Sequence, residues 1–441
     1  MRALVSVPLH RRRHSLFVLL ASSAMAPSVR SFSAATPPRP SSSTMREWRR
    51  KANERGDEKL RSSSSSFSFG VIADVQWADA PDGTNYVKTV KRCYRGALAT
   101  LSNAVDWWLD LPESESPLFI AQLGDLIDGM NGPDKLDCAD DALNKAMGHL
   151  NRLPCPSINL VGNHELYNYD RTALSKADWL QHGDKEYYAF TPVPGWRVAV
   201  LDPYQIALIG HAQDDPRRLE AVDLLARENP NVHPDGQAGN WFEGMEDAGY
   251  RRRFVPYNGG FGREQLEWLK NELRSAARAG ERVLVMSHVI IHPKACGGGT
   301  MAWDYEECLE VMRSEEAGGC VAAVLCGHDH NGNYHQDEHG VHHCTFVSPL
   351  NKGDEGSAFG IFKIKPDCLE IRGPVMDDLL PDVPGRPSPI KEEKSALGVP
   401  CELISLALGD ATPVVGDDIE ADGINLDAIL TPRQEVTEVA A

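Results

Sequence analysis

Five short clusters carry residue types that could hold a divalent cation or move a proton. They are Asp74-Val75-Gln76, Gly124-Asp125, Gly162-Asn163-His164-Glu165, Ser287-His288 and Gly327-His328-Asp329-His330. Taken singly, most are weak signals. Asp-x-Gln reads as the polar start of a loop, Gly-Asp as a turn, and His288 as a histidine satisfied at the rim of a core. Gly-Asn-His-Glu is sharper. A glycine frees the backbone to turn tightly, and Asn plus His then present an oxygen and a nitrogen at one point. Gly-His-x-His is a good metal signal, since residues two apart on an extended chain point the same way. As a set, oxygen donors mixed with imidazoles suit manganese, iron or zinc, and no CxxC thiolate pair competes for the role.

Each cluster follows an apolar run that reads as a strand, at 67–75, 118–127, 157–161, 282–291 and 321–326. Ligands collect beyond the carboxyl ends of strands in α/β sheets, so these positions can converge. Apolar residues at helical spacing mark 87–111 (Val90, Ala97, Leu98, Leu101, Val105, Trp108), and 142–153, 217–228 and 263–279 also read as helices. A hairpin is expected over 187–202 with Pro194-Gly195 as its turn, and further strands over 341–347 and 359–371. Helices and strands alternate at first and strands dominate later. That order predicts an α/β sandwich with helices outside packed sheets.

The ends of the chain read differently. Residues 1–45 contain no Asp or Glu, several Arg (Arg11-Arg12-Arg13, Arg30, Arg39) and many Ser, the composition of a mitochondrial or plastid transit peptide. A secretory signal competes with it, because an apolar run (Leu16 to Leu20) follows the arginines and Ala24-Met25-Ala26 resembles a cleavage site; a leader with no address, and so a cytoplasmic protein, is the bland alternative. The apolar run is too short for a membrane span, which takes about 20 residues. A serine run at 62–66 closes this leader, so 1–66 is set apart from a domain at 67–376. The tail, 377–441, is rich in Pro, Asp and Glu with one apolar patch (Leu403 to Leu408), and reads as mostly disordered. Residues 229–249 read as a long surface loop. A net charge of -18 argues against a non-specific nucleic-acid binder. It leaves anionic substrates open, since bound cations reverse the local field. Ten irregularly spaced cysteines suggest buried thiols rather than a disulfide framework.

The five clusters in this order strongly resemble the calcineurin-like metallophosphoesterase superfamily. That resemblance implies a four-layer α-β-β-α sandwich with mixed sheets, and hydrolysis at a pair of cations that share an attacking hydroxide. Carried over by position, one cation would be held by Asp74, Gln76, Asp125 and His330. The other would be held by Asp125, Asn163, His288 and His328, with Asp125 bridging. His164 is left as the catalytic residue that donates to the leaving oxygen or the developing phosphoryl charge; the blander role is to orient a ligand. Asp329 is expected to orient a neighbouring histidine.

Most members of the superfamily read Asp-x-His in the first cluster. The Gln76 amide offers a neutral oxygen instead, a harder ligand that favours Mn2+, with iron or zinc possible at one position. In this respect the chain is similar to the manganese-dependent ADP-ribose/CDP-alcohol diphosphatases. Leu166-Tyr167-Asn168 after the third cluster, Tyr187-Tyr188, Leu201-Asp202 and Asn258-Gly259-Gly260-Phe261 extend the likeness. So do Glu264-Gln265-Leu266, Ala302-Trp303-Asp304-Tyr305 and Ala358-Phe359-Gly360. Two departures, Tyr204-Gln205 where that family reads Tyr-Asp and the first half of 229–257, are placed near the substrate mouth. The implied reaction cleaves the phosphoanhydride of a small nucleotide-linked diphosphate. ADP-ribose would give AMP and ribose 5-phosphate, and CDP-choline or CDP-glycerol would give CMP and the phospho-alcohol. Phe261, Trp303, Tyr305 and Phe359 are candidates to face the base, with core packing as the rival reading of each. The competing functions are a phosphomonoesterase, cyclic-nucleotide phosphodiesterase or protein phosphatase, and a non-catalytic scaffold on the same fold. The expected protein has no membrane span and is a monomer.

Overall fold

The computed structural model describes residues 66–381, except 86–87, 181–185, 234–238, 355 and 376–377, together with 402–408. The leader at 1–65 and most of the tail lie outside the described residues.

Two mixed six-stranded sheets face each other. The first is built around β1 (Phe67–Ile72). Its parallel neighbours are β2 (Ile120–Gln122) and, beyond it, β3 (Ser157–Asn159). The second sheet opens with the hairpin β4 (Tyr188–Val193) and β5 (Trp196–Val200), turned at Pro194-Gly195 as the sequence suggests. It continues through β6 (Arg282–Ser287) and β7 (Val321–Cys326), both parallel, then β9 (His342–Val347) and the edge strand β8 (Asn331–Gln336). On its other side β1 pairs antiparallel with β10 (Gly360–Ile364), which continues through β11 (Cys368–Gly373) to β12 (Glu402–Ala407).

Alternation along β1 explains the layering. Phe67, Phe69 and Val71 point inward to the core shared by both sheets. There Phe69 stacks on Phe119 at 4.9 Å and on Phe362 at 5.1 Å, and Phe119 meets Phe190 of the second sheet edge-on at 5.7 Å. Ile72 points to the opposite face, where the helices pack. On the first sheet these are α1 (Tyr94–Leu109) and α2 (Ala139–Leu150), while α5 (Gly262–Arg278) lies against β5 and β6 of the second sheet; each has one buried stripe, such as Ala97, Leu101, Ala104, Val105 and Trp108 of α1. Period-2 and period-3.6 burial together yield the expected four layers. The short helix α3 (Asn163–Asn168) and α4 (Pro216–Glu228) complete this part, and α6 (Tyr305–Met312) lies against α5.

Several expected boundaries move. Helix α1 starts at Tyr94 rather than 87, because Lys91–Arg92 pairs with Gly83–Thr84 in a small ribbon. The strand expected over 118–127 is only three residues long, since the chain turns off at Gly124 and Asp125, both with positive φ. The composition of α6 and of β8 gave no clear pattern, and neither was expected. Past residue 376, Leu379 and Leu380 are fully buried and the apolar patch of the tail forms β12, so the sheet draws on chain beyond that boundary. All nine described cysteines are free. No helix among the described residues is long and apolar enough to cross a membrane.

Candidate metal centre

The loops leaving β1, β2, β3, β6 and β7 meet at one end of the two sheets, as the strand-end placement of the clusters predicts. Getting side chains to one point from five strands strains the backbone. Six described residues other than glycine have positive φ, and four of them are candidate ligands: Asp74 (51°), Gln76 (46°), Asp125 (55°) and His328 (71°). Left-handed backbone costs an L-residue roughly 1–2 kcal/mol, and strain concentrated in this way marks a functional site.

Polar atoms crowd together there. Asp125 Oδ2 lies 3.3 Å from His288 Nε2 and accepts from Gln76 Nε2 at 2.9 Å. Gln76 Nε2 is also 2.8 Å from His330 Nε2, which lies 3.6 Å from Asp74 Oδ1. His288 Nε2 and His328 Nδ1 are 3.2 Å apart. The far nitrogens explain why these two point inward: His288 Nδ1 donates to Leu123 O at 2.7 Å, and His328 Nε2 donates to Asn258 Oδ1 at 2.6 Å. With those protons fixed, the inward nitrogens are the ones left to bind a cation. Two overlapping groups result, Asp74 with Asp125 and His330, and Asp125 with His288 and His328.

Asn163 enters beside them at the start of α3, its Oδ1 accepting from Tyr204 Oη at 3.3 Å. The donor set fits divalent cations on one further observation: Gln76 Oε1 is buried with no hydrogen-bond partner while Nε2 faces Asp125 and His330, and turning the amide over would present that orphan oxygen to a cation.

The charges agree with that fit. Burial pushes Asp74 up to about 7, and the adjacent Asp125 adds to the push. Asp125 is equally buried, yet His288 and His164 hold its carboxyl well below the usual range. Burial opposes a charge on His288, but Asp125 and Asp74 raise it to about 9. Burial drives His330 down to about 3 and His328 well down. A proton on His288 therefore offsets the paired carboxylates, and cations binding at the same point would displace it.

His164 stands apart from the ligand groups. Its backbone N–H donates to Asp125 Oδ1 at 2.8 Å, and its Nε2 is 4.0 Å from Asp125 Oδ2. On the other side Nδ1 accepts from the Gly129 backbone N–H at 2.8 Å and lies 3.1 Å from Asp128 Oδ2. Burial opposes its charge, but Asp125 and Asp128 raise its pKa overall, which favours the proton-donating form.

Three supporting residues were not singled out for these roles in the sequence. Glu165 is fully buried and accepts from the backbone N–H groups of Asp125, Leu126 and Gly162 at 2.7–2.8 Å, tying the β2 and β3 loops together. Asn258 orients His328, and Asp128 orients His164. The motifs in or beside which they stand were visible, but a partner 36 to 70 residues away is not encoded in local spacing.

The structure decides four of the readings made from the sequence. Phe261, Trp303, Tyr305 and Phe359 are all buried, Phe359 packing on Trp107 and Trp108, so none presents a face to a base. Asp329 orients no histidine; it accepts from Gly297 N at 2.8 Å and Thr300 Oγ1 at 3.0 Å and so pins that loop. Tyr204 is fully buried beneath Asn163, and Gln205 bonds Asp202 at 2.7 Å, so the pair braces the site from below instead of forming its mouth. The described part of 229–257 does reach the centre: Trp241 packs on Tyr257, whose ring lies 5.7 Å from that of His328.

Space is as restrictive as strain. Gly162 has an ordinary backbone (φ -104°), but a Cβ there would lie 2.1 Å from Asp125 Oδ1 and 2.7 Å from Asp125 N. Gly162→Ala should therefore displace the Asp125 carboxylate and weaken cation binding by about 10–100-fold, as loss of other ligand-orienting contacts does. A Mn2+ titration of the folded variant checks this, and unchanged affinity would show that the contact is relieved elsewhere.

Comparison with known proteins gives a consistent result. Residues 67–332 match the family model described as calcineurin-like phosphoesterase. A manganese-dependent ADP-ribose/CDP-alcohol diphosphatase of Xenopus tropicalis is 34% identical over 336 residues, 72% of this chain and 94% of the relative. The protein of the same name from Oryza sativa subsp. japonica is 37% identical over 70% of this chain and 91% of the relative. Among solved structures, a dimetal phosphatase from Danio rerio superposes with a TM-score of 0.64 at 29% identity, over 78% of this chain and 99% of that one.

Proposed function

The chain belongs to the calcineurin-like phosphoesterases and, within them, to the manganese-dependent ADP-ribose/CDP-alcohol diphosphatases, and from that premise we propose that it hydrolyses the phosphoanhydride of nucleoside-diphosphate-linked compounds. ADP-ribose would yield AMP and ribose 5-phosphate. CDP-choline or CDP-glycerol would yield CMP and the phosphorylated alcohol. The observation that carries the reading is the pair of overlapping ligand groups sharing Asp125.

In this reading Asp74, Gln76, Asp125 and His330 hold one cation, and Asp125, Asn163, His288 and His328 the other. When bound, divalent cations supply Lewis-acid polarisation of the phosphoryl oxygens and a more acidic water. The protein's part is positional and protonic. Asp125 uses both oxygens, one toward His288 and one held by the His164 amide. Glu165 and Gly162 keep the two loops from drifting. His164 presents Nε2 beside the shared carboxylate, where it can donate to the oxygen that leaves as the anhydride breaks. Tyr204 holds the Asn163 carbonyl in place.

The test is manganese-dependent turnover of ADP-ribose, CDP-choline and a generic phosphomonoester measured side by side. Dominant hydrolysis of the monoester would replace this reading with a phosphomonoesterase. Gln76→His should retain turnover while moving metal preference from manganese toward zinc or iron, because imidazole is the softer donor. An unchanged metal ranking would show that Gln76 does not tune the site. A monomeric state and delivery of the chain to a mitochondrion or plastid belong to the same proposal. Sedimentation, and a reporter fused to residues 1–66, test them.

A further inference from the structure

A second histidine-rich cluster lies outside the candidate active centre. His292 sits on the loop after β6, His335 on the edge strand β8, Asp337 just beyond that strand, and His343 on β9. His292, Asp337 and His343 are all buried and each offers a ligand atom within 4.8 Å of the other two. His343 Nε2 is 3.3 Å from Asp337 Oδ2, about the separation of two ligands each roughly 2.0–2.1 Å from a tetrahedral ion. The His292 ring is 4.5 Å from that of His343 and 4.6 Å from that of His335.

Hydrogen bonding accounts for only part of the grouping, through His343 Nε2 on Asp337 Oδ2. His343 is 2% exposed, and its Nδ1 has no hydrogen-bond partner. The only partner of His292 Nδ1 is the Lys294 amide at 3.2 Å, a long bond that ligation would give up. Burial lowers the pKa of all three imidazoles, helped at His292 by His343 and His335, at His335 by Lys294, and at His343 by Arg313, so they stand ready as neutral donors. Arg313 meets Asp337 Oδ2 at 3.0 Å and Glu338 at 3.4 Å. Its guanidinium balances the carboxylate when no ion is present, and Glu338 can take it over when one enters.

We propose that His292, Asp337 and His343, with His335 alongside, form a structural site for a borderline divalent cation of the zinc class. A donor set of imidazoles and one carboxylate suits Zn2+ better than Mn2+, unlike the oxygen-rich candidate active centre. The site joins the loop that follows His288 to the β8–β9 hairpin that follows His330. That loop is otherwise tied to the hairpin by the Thr345 hydroxyl on Ala295 O at 2.7 Å. An ion here would hold two ligand-bearing segments in fixed relation without touching substrate.

The experiment is elemental analysis of the full-length chain, loaded with Mn2+, exposed to stoichiometric Zn2+ and desalted. Wild type should retain more Zn2+ than His292→Asn or His343→Gln, with the Mn2+ content and turnover of both variants unchanged. Equal zinc in wild type and variants overturns the proposal. Should either variant fail to fold, the readout moves to an Asp125→Ala background, where the active centre is disabled. Zn2+ should still raise Tm by a few degrees there, as a ligand specific to the native state must. No shift in that background overturns the proposal too. Neither result depends on which diphosphate the enzyme cleaves.

Discussion

Asp125→Ala should lower turnover by at least about four orders of magnitude, roughly 5–6 kcal/mol of barrier. Among the described residues no other side chain enters both ligand groups. Its Oδ2 faces His288 and Gln76, and its Oδ1 receives the His164 amide. Removing the carboxylate separates the groups and leaves the remaining donors with too little negative charge for a second cation. Asp125 itself is 1% exposed, so solvent offers no ready substitute for its carboxylate. The measurement is Mn2+ stoichiometry and kcat on the same preparation, with circular dichroism to confirm folding. A variant that keeps its full metal complement and most of its turnover would sink the bridging role.

His164→Ala should act differently: metal content unchanged and kcat down by about 10²–10⁴-fold, the span of a lost general acid. The separation rests on geometry. Only the backbone of His164 contacts Asp125 at bonding distance, and alanine keeps that backbone N–H. The ring contacts Gly129 and Asp128 instead, and its Nε2 is 4.0 Å from the shared carboxylate. Substrates with a more acidic leaving group should lose less, because they need less protonation. Equal losses across leaving groups, or metal loss matching that of Asp125→Ala, would assign His164 to ligand support instead.

The seven candidate ligands were legible because each follows an apolar run, and strand ends on one side of parallel strands share a location by construction. The layers were legible for a related reason: β1 alternates and α1 repeats at helical spacing. Other features left no local mark. Left-handed backbone at Asp74, Gln76, Asp125 and His328 is imposed by convergence, since none of these residue types demands it. Glu165, Asn258 and Asp128 act through partners far along the chain. For the aromatic candidates to face a base the core-packing reading is the one that holds, since ring type alone cannot separate a binding face from a core. Phe261 is 1% exposed and Phe359 4%. Tyr257, beside His328, carried no cue beyond its position before Asn258.

Strand β12 has a consequence for any shortened form of this protein. It covers the outer side of β11 with six paired positions, from Cys368↔Ala407 to Gly373↔Glu402. The chain between them spans more than two dozen residues, so proteolytic nicking there could release the last strand while leaving every candidate ligand in place. Such a trimmed molecule would keep its chemistry but present a bare row of N–H and C=O groups flanked by Leu369 and Ile371. Naked sheet margins of that kind recruit one another. Loss of solubility, before loss of catalysis, is the expected sign of damage at that end.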